Sequence, residues 1–307
     1  MKRHRRIRLA KVIGLPAAVV GSLLALGSGV VLLGGRRFDR RVRGDVDALL
    51  AAAGPGREGV VTETLLEPLP EPVRRYLRFT GVVGRPFPRV VHVEQTGTMQ
   101  LGPEFPRVPL DFVTDYTLDP PGFVWYGAMH VGPLPLARAL DVYHDGHGSM
   151  LVRAGSLVTV VDARGAEMDQ GAMMRYLSEM IWFPAAFLGD NITFEPLDEA
   201  SAQVSFTDHG HSVSGTLYVD EAGRLVEFTA RQWRSVGNRF ELTPWSTPVT
   251  GYAEFAGLRL PSSGKARWRL PEGDLDYIDC TVTRLTYTPS ATGNRAARTA
   301  AVEALAR

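Results

Sequence analysis

The sequence predicts a mainly β (α+β) protein: a large curved antiparallel sheet or half-barrel covered by an amphipathic helix, plus an N-terminal transmembrane helix. Three observations predict it. From Arg89 onward apolar residues recur with a period of two, broken by turn signals at hairpin spacing. One mid-chain segment, Asp169–Ile181, switches to helical spacing. Near the start, Val12–Leu33 runs for 22 residues without a charge.

Residues 1–11 form a basic tail, with Lys2, Arg3, Arg5, Arg6, Arg8 and Lys11. The run 12–33 is long enough to cross a bilayer as a helix, which takes about 20 residues. Pro16 lies near its first turn, where proline is tolerated. The run is longer than the apolar core of a signal peptide, and no small-x-small site follows. It therefore reads as a retained anchor in the cell membrane. Arg36, Arg37, Arg40, Arg41 and Arg43 follow it, so the positive charge on the two sides nearly balances. The slight excess before the span favours a cytoplasmic N-terminus and an extracytoplasmic domain. Ala17, Gly21, Ala25 and Gly29 recur every fourth residue, a stripe that suits close helix approach in a homodimer.

Residues 34–68 read as a juxtamembrane helix and linker. Val42, Val46, Leu49 and Leu50 have helical spacing, and Gly54-Pro55-Gly56 breaks it. A β-rich domain is expected over 69–288. It opens with a short helix at Leu69–Phe79, where Pro72 suits the first turn and Val73, Tyr76 and Leu77 make one face. Strands are expected at Leu110–Leu118, Phe123–Val131, Ala137–His144, Ser149–Arg153 and Leu157–Asp162. Asp119-Pro120-Pro121-Gly122 and Asp145-Gly146-His147-Gly148 supply turns between them.

The helix Asp169–Ile181 presents Met173, Tyr176, Leu177, Met180 and Ile181 on one face, with Asp169 as its cap. Strands then resume at Ile192–Glu195, Ala202–Asp208, Ser212–Val219, Leu225–Ser235, Arg239–Leu242, Val249–Phe255, Leu258–Leu260, Gly264–Leu270 and Tyr277–Thr288. In the last of these Ile278, Cys280 and Val282 share a face, whereas Leu285 and Tyr287 fall on the other. A β-bulge between them is expected. Residues 289–307 read as a flexible polar tail. So wide a sheet must curl or be covered, and a curved sheet around a helix encloses an apolar groove.

Composition excludes several functions. Net charge is +1, so no global basic field points to nucleic acid. Cys280 is the single cysteine, which rules out an internal disulfide or a cysteine-pair zinc site and reads as a small core residue. The chain has no nucleophile elbow, zinc-protease, Walker or dinucleotide motif, and no cofactor is expected. The weak metal candidates are His144 with His147 and His209 with His211, beside Asp145 and Asp208 in two Gly-rich turns. They would bind a metal only if the turns met; solvated turns are the plainer reading. Arg175 and Glu179 lie four apart on the helix, either as a surface ion pair or as groups that hold a polar head in a groove. Trp182, Phe183, Trp233 and Trp268 could line that groove or simply fill the core. The proposed ligand-binding set is thus Met173, Arg175, Tyr176, Leu177, Glu179, Met180, Trp182, Phe183, Trp233 and Trp268.

The segments Leu69-Pro70-Glu71-Pro72-Val73-Arg74-Arg75-Tyr76-Leu77, Arg175-Tyr176-Leu177-Ser178-Glu179 with Trp182-Phe183-Pro184, and Ala266-Arg267-Trp268 resemble a family of uncharacterised bacterial membrane-anchored proteins. The R-Y-L-x-E-x-x-W-F-P segment is its most specific part, and the family implies no activity. A looser similarity is to the lipoprotein carriers of the LolA and LppX kind, which implies a curved sheet with a helical lid. Those carriers are soluble or lipid-anchored, whereas this chain keeps a membrane helix. The resulting expectation is a membrane-tethered binding domain for a lipid or lipoprotein-like ligand. The alternatives are a ligand-free structural domain of an envelope assembly and, behind it, a hydrolase or metal-dependent enzyme using the His turns.

Overall fold

The computed structural model describes residues 34–100, 102–132, 134–237 and 239–288. The uncharged run 12–33, its small-residue stripe and the tail 289–307 lie outside the described residues. Among the described residues no helix is long and apolar enough to cross a membrane.

Thirteen strands form one antiparallel sheet: β1 (Val90–Met99), β2 (Val108–Leu118), β3 (Pro121–Val131), β4 (Leu134–His144), β5 (His147–Ala154), β6 (Val158–Arg164), β7 (Ile192–Pro196), β8 (Ser201–Asp208), β9 (His211–Val219), β10 (Leu225–Val236), β11 (Arg239–Phe255), β12 (Leu258–Leu270) and β13 (Gly273–Thr288). Their order is β6-β5-β4-β3-β2-β1-β13-β12-β11-β10-β9-β8-β7. Hairpins carry the chain from the middle of the sheet to the β6 edge. The helix α4 (Ala166–Glu179) then takes it to the far edge, and hairpins bring it back until β13 pairs with β1. A sheet this wide accumulates twist and curls. The curl lets α4 pack against β4, β5 and β6 on one wing and β8, β9 and β10 on the other.

Most strands match their periodicity. The expected pairs Arg239–Leu242 with Val249–Phe255, and Leu258–Leu260 with Gly264–Leu270, are instead the single long strands β11 and β12. Pro248 and Pro261 sit beside register shifts around Val249, Gly251 and Tyr252, where a missing N–H costs little. The bulge in β13 is present: Glu94 pairs with Arg284 and Gln95 with Val282, leaving Thr283 extra. Val282 and Leu285 therefore both reach the core.

Helix α1 covers residues 34–52 and lies on the convex face of the sheet. Its Phe38, Val42, Val46 and Leu49 bury against Val113, Val124, Tyr126 and Leu140 of β2–β4. The opposite face of these strands sends Phe112, Phe123, Trp125 and Ala139 into the main core. With both faces covered, Phe123-Val124-Trp125-Tyr126 is a continuous apolar run rather than an alternation. Arg89 holds the end of α1: its Nε donates to Gly54 O and a terminal nitrogen donates to Ala53 O at 2.6 Å. A cation suits the negative end of a helix.

Two further helices precede the sheet, and the second packs against β8, β9 and β12. They are α2 (Glu63–Leu66) and α3 (Glu71–Thr80). Helix α3 buries Val73, Tyr76 and Leu77, and stops at Gly81 with φ 75°. The Tyr76 hydroxyl donates to Ile181 O at 3.0 Å, tying α3 to the turn that follows α4.

Replacing Leu49 by Ala leaves a void between α1 and the sheet, because Leu49 is only 1% exposed. We expect it to cost about 2–5 kcal/mol of stability, measured by urea unfolding of the full chain in mild detergent. A loss of only a few tenths would mean that α1 does not belong to the folded unit.

Candidate functional site

Helix α4 approaches the sheet closely at its start. Gly148 of β5 permits this, since a Cβ there would lie 2.2 Å from Met168 O. The Gly148 N–H donates to Asp169 Oδ1 at 2.7 Å. On the other wing the Gln232 amide donates to Gly171 O at 2.9 Å and the Trp233 indole to Gln170 Oε1 at 2.9 Å. The helix is therefore strapped between the two wings.

The His-rich turns meet and clasp the wings together. His209 Nε2 lies 3.1 Å from Asp145 Oδ1, and its Nδ1 lies 3.1 Å from Asp208 Oδ1. The Tyr143 hydroxyl donates to Asp208 Oδ2. His147 faces Asp169 at 3.6 Å. His209 stands between the two carboxylates, and Asp208 first, then Asp145, raise its pKa. His144 is the cross-strand partner of His147, and His211 that of Asp208. Among the described residues no three His, Cys, Asp or Glu side chains converge as a metal would need.

Beneath α4 the space is filled. Tyr116, Phe123, Tyr143, Tyr176, Phe183 and Phe206 are all less than 2% exposed there. Tyr176 packs against Tyr116, Tyr143, Phe183 and Phe206, with ring centroids 5.3–6.5 Å apart.

A charged cluster interrupts this apolar interior. Arg175 donates to Asp141 Oδ2 at 2.8 Å and to Glu179 Oε1 at 3.0 Å. Its guanidinium carbon lies 4.9 Å from the Trp125 ring centre and 5.3 Å from that of Phe123. The Tyr116 hydroxyl donates to Glu179 Oε2 at 2.9 Å. Burial raises the pKa of Asp141 and of Glu179, against the pull of Arg175. Burial works against the Arg175 cation, but Glu179 and Asp141 outweigh it and raise its pKa. Two carboxylates thus face one guanidinium, and Asp141 Oδ1 and the Trp125 indole N–H are buried without a hydrogen-bond partner.

This cluster is not sealed. The Arg175 side chain keeps 20% of its surface exposed and Glu179 keeps 15%. Around it the concave face is apolar but only half-buried: Met99, Val108, Ala266, Trp268, Tyr277 and Cys280 pack on the core without being covered. Trp268 stacks on Tyr277 with centroids 5.4 Å apart, and the Trp245 indole donates to the Tyr277 hydroxyl at 3.0 Å. Gln95 donates to Cys280 Sγ at 3.5 Å, and burial pushes the thiol up to about 12. Such a thiol stays protonated and inert as a nucleophile. Partly buried apolar side chains on the concave face thus lie beside a charged cluster.

The ten residues proposed from sequence divide accordingly. Met173, Tyr176, Leu177, Met180 and Phe183 are fully buried packing residues. Trp182 donates to Pro261 O at 3.1 Å and secures the turn after α4. Trp233 fastens the start of the helix. Arg175, Glu179 and Trp268 remain at the concavity. Asp141, Trp125, Tyr116 and Tyr277 join them without having been singled out. Asp141 was the one readable signal, since it sits between Leu140 and Val142 in a strand otherwise apolar near its end.

Removing the Arg175 charge with Arg175→Met leaves two buried carboxylates uncompensated, a loss of about 3–5 kcal/mol at pH 8. Their folded pKa values then lie above the unfolded ones, so the penalty grows as pH rises through the carboxylate range and vanishes below it. Unfolding midpoints of this variant between pH 4 and 8 check the point. A pH-independent loss would mean that Asp141 and Glu179 do not share the Arg175 charge.

Among solved structures, the chain is similar to a DUF1329 family protein from Desulfovibrio piger, at 11% identity and a TM-score of 0.43. The match covers 74% of this chain and 95% of that one. It is also similar to a putative outer membrane lipoprotein-sorting protein domain from Vibrio parahaemolyticus (9% identity, TM-score 0.37, 71% and 92% covered). A LolA superfamily protein from Nitrosomonas europaea gives 9% identity and a TM-score of 0.39, with 75% and 94% covered. No curated protein matches. Residues 59–280 match a family of unknown function, DUF6544, and the chain belongs to that family.

Proposed function

We propose that this protein is a membrane-tethered, extracytoplasmic binding domain that takes a hydrophobic ligand such as a lipid into the open end of its half-barrel. One observation carries the reading: Met99, Val108, Ala266, Trp268 and Tyr277 stay half-exposed on the concave side, beside a charged cluster. Uncovered apolar surface is costly in water, and a concave apolar site with a few polar groups is the usual form of a small-molecule pocket. The ligand's apolar part packs against Trp268 and Tyr277. Its polar end meets Arg175, Glu179 and Asp141. The excess carboxylate on that floor favours a head group that donates hydrogen bonds. The uncharged run Val12–Leu33 supplies the tether.

The test is binding of the apolar dye N-phenylnaphthylamine to the full chain in nanodiscs, read by dye fluorescence and by quenching of the tryptophans. A bulky side chain at Ala266 fills the concavity. We expect Ala266→Trp to weaken binding at least tenfold with an unchanged unfolding midpoint. Equal dye binding by wild type and variant, together with no lipid recovered by mass spectrometry from the purified protein, would sink the proposal.

A further inference from the structure

A second concavity lies on the opposite, convex face, between the start of α1 and β4–β6. It encloses about 370 Å³. Arg37 and Arg41 of α1, Arg153 of β5 and Arg164 of β6 line it, with Asp45 and Asp162. Four guanidinium groups therefore face two carboxylates. Arg41 pairs with Asp45 at 2.7 Å, and Arg164 is held loosely by Asp162 at 3.9 Å. No carboxylate pairs with Arg37 or Arg153 among the described residues. The Arg153 Nε is buried with no hydrogen-bond partner, a donor left without an acceptor in a wall that also holds Phe38 and Leu151. An unsatisfied buried donor is costly, so an acceptor that reaches it is favoured.

The position of the cavity indicates what enters. The uncharged run ends at Leu33, and Gly34 packs directly on the β5–β6 turn. A Cβ on Gly34 would lie 2.5 Å from Leu157 Cδ2 and 2.7 Å from Ser156 O. Arg37 follows one helical turn later. The same turn and edge strand expose Leu157, Val158 and Val160, Val158 by 62%. Exposed aliphatic side chains next to unpaired guanidinium groups match the interface of a bilayer, where acyl chains give way to phosphates.

We infer that this cavity binds the phosphate ester of an anionic phospholipid, and that Leu157 and Val158 rest on the same membrane surface. Guanidinium forks fit phosphate oxygens in pairs, and the apolar wall suits the glycerol and first methylenes. The inference rests on the tether reading of Val12–Leu33 but not on the occupant of the half-barrel.

Native mass spectrometry of the full chain released from neutral detergent tests it, with phosphatidylglycerol or phosphatidylcholine added. The wild type is expected to retain one phosphatidylglycerol per chain in preference to phosphatidylcholine. The double variant Arg37→Gln/Arg153→Gln is expected to lose that preference at least tenfold, and to bind N-phenylnaphthylamine as the wild type does. Inorganic phosphate at millimolar concentration is expected not to displace the lipid. Unchanged phosphatidylglycerol retention by the variant overturns the site. Phosphate binding without lipid retention overturns the lipid assignment. Carbonate extraction of cell membranes separates a third failure: release of the full chain would overturn the tether itself, whatever the cavity binds.

Discussion

The structure depends on one topological constraint. The first six strands walk outward from β1 and leave the chain at an edge, yet the last strand must pair with β1 in the middle. The chain has to cross the whole sheet once, and α4 is that crossing. A flat sheet of this width would put its edges far beyond the reach of a 14-residue helix. The sheet must curl until its wings meet the helix. The Asp145–His209–Asp208 clasp and the Gly148 and Gln232 contacts are where they do. Curvature, the helical strap and the concavity are thus one consequence, not three.

The same curl explains why the interior is so unequal. On one side of α4, large aromatic side chains fill the narrowing space and α3 closes it. On the other side the strands β11, β12 and β13 are the longest of the sheet, and Trp268 and Tyr277 stay only partly buried there. Helix α1 adds a second layer on the convex face, mainly over β2–β4, with its start reaching β5 and the β5–β6 turn. The two faces of the sheet therefore offer different chemistry: an aromatic hollow inside and an arginine-lined one outside.

Strand periodicity made most of the sheet legible, because each hairpin obeys local rules: alternation, then Gly or Asp at a turn. The bulge in β13 was legible too, since Cys280 and Leu285 could share a face only if one residue were extra. The continuity of β11 and of β12 was not, because Pro248 and Pro261 interrupt the alternation at register shifts that only the pairing reveals. Helical spacing revealed α1, but nothing in Val42, Val46 or Leu49 tells whether they bury against lipid, a partner or this sheet. The site was legible only in part for the same reason. Arg175 and Glu179 stood out as a helix pair, whereas Asp141 and Trp125 join them through contacts between residues 34 and 50 positions apart.

The buried ion cluster contributes more to specificity than to stability. Replacing such a group with apolar side chains of similar size is often neutral or stabilising. An all-apolar version of α4 could slide or rotate against the aromatic interior, since Met, Tyr and Leu contacts are nondirectional. Arg175 removes that freedom. Its two hydrogen-bonded partners lie on β4 and one turn along its own helix, and its flat face lies over Trp125. Only one rotation of α4 satisfies all three. The cluster therefore fixes which side of the helix looks into the open concavity, and that side presents charge rather than methionine.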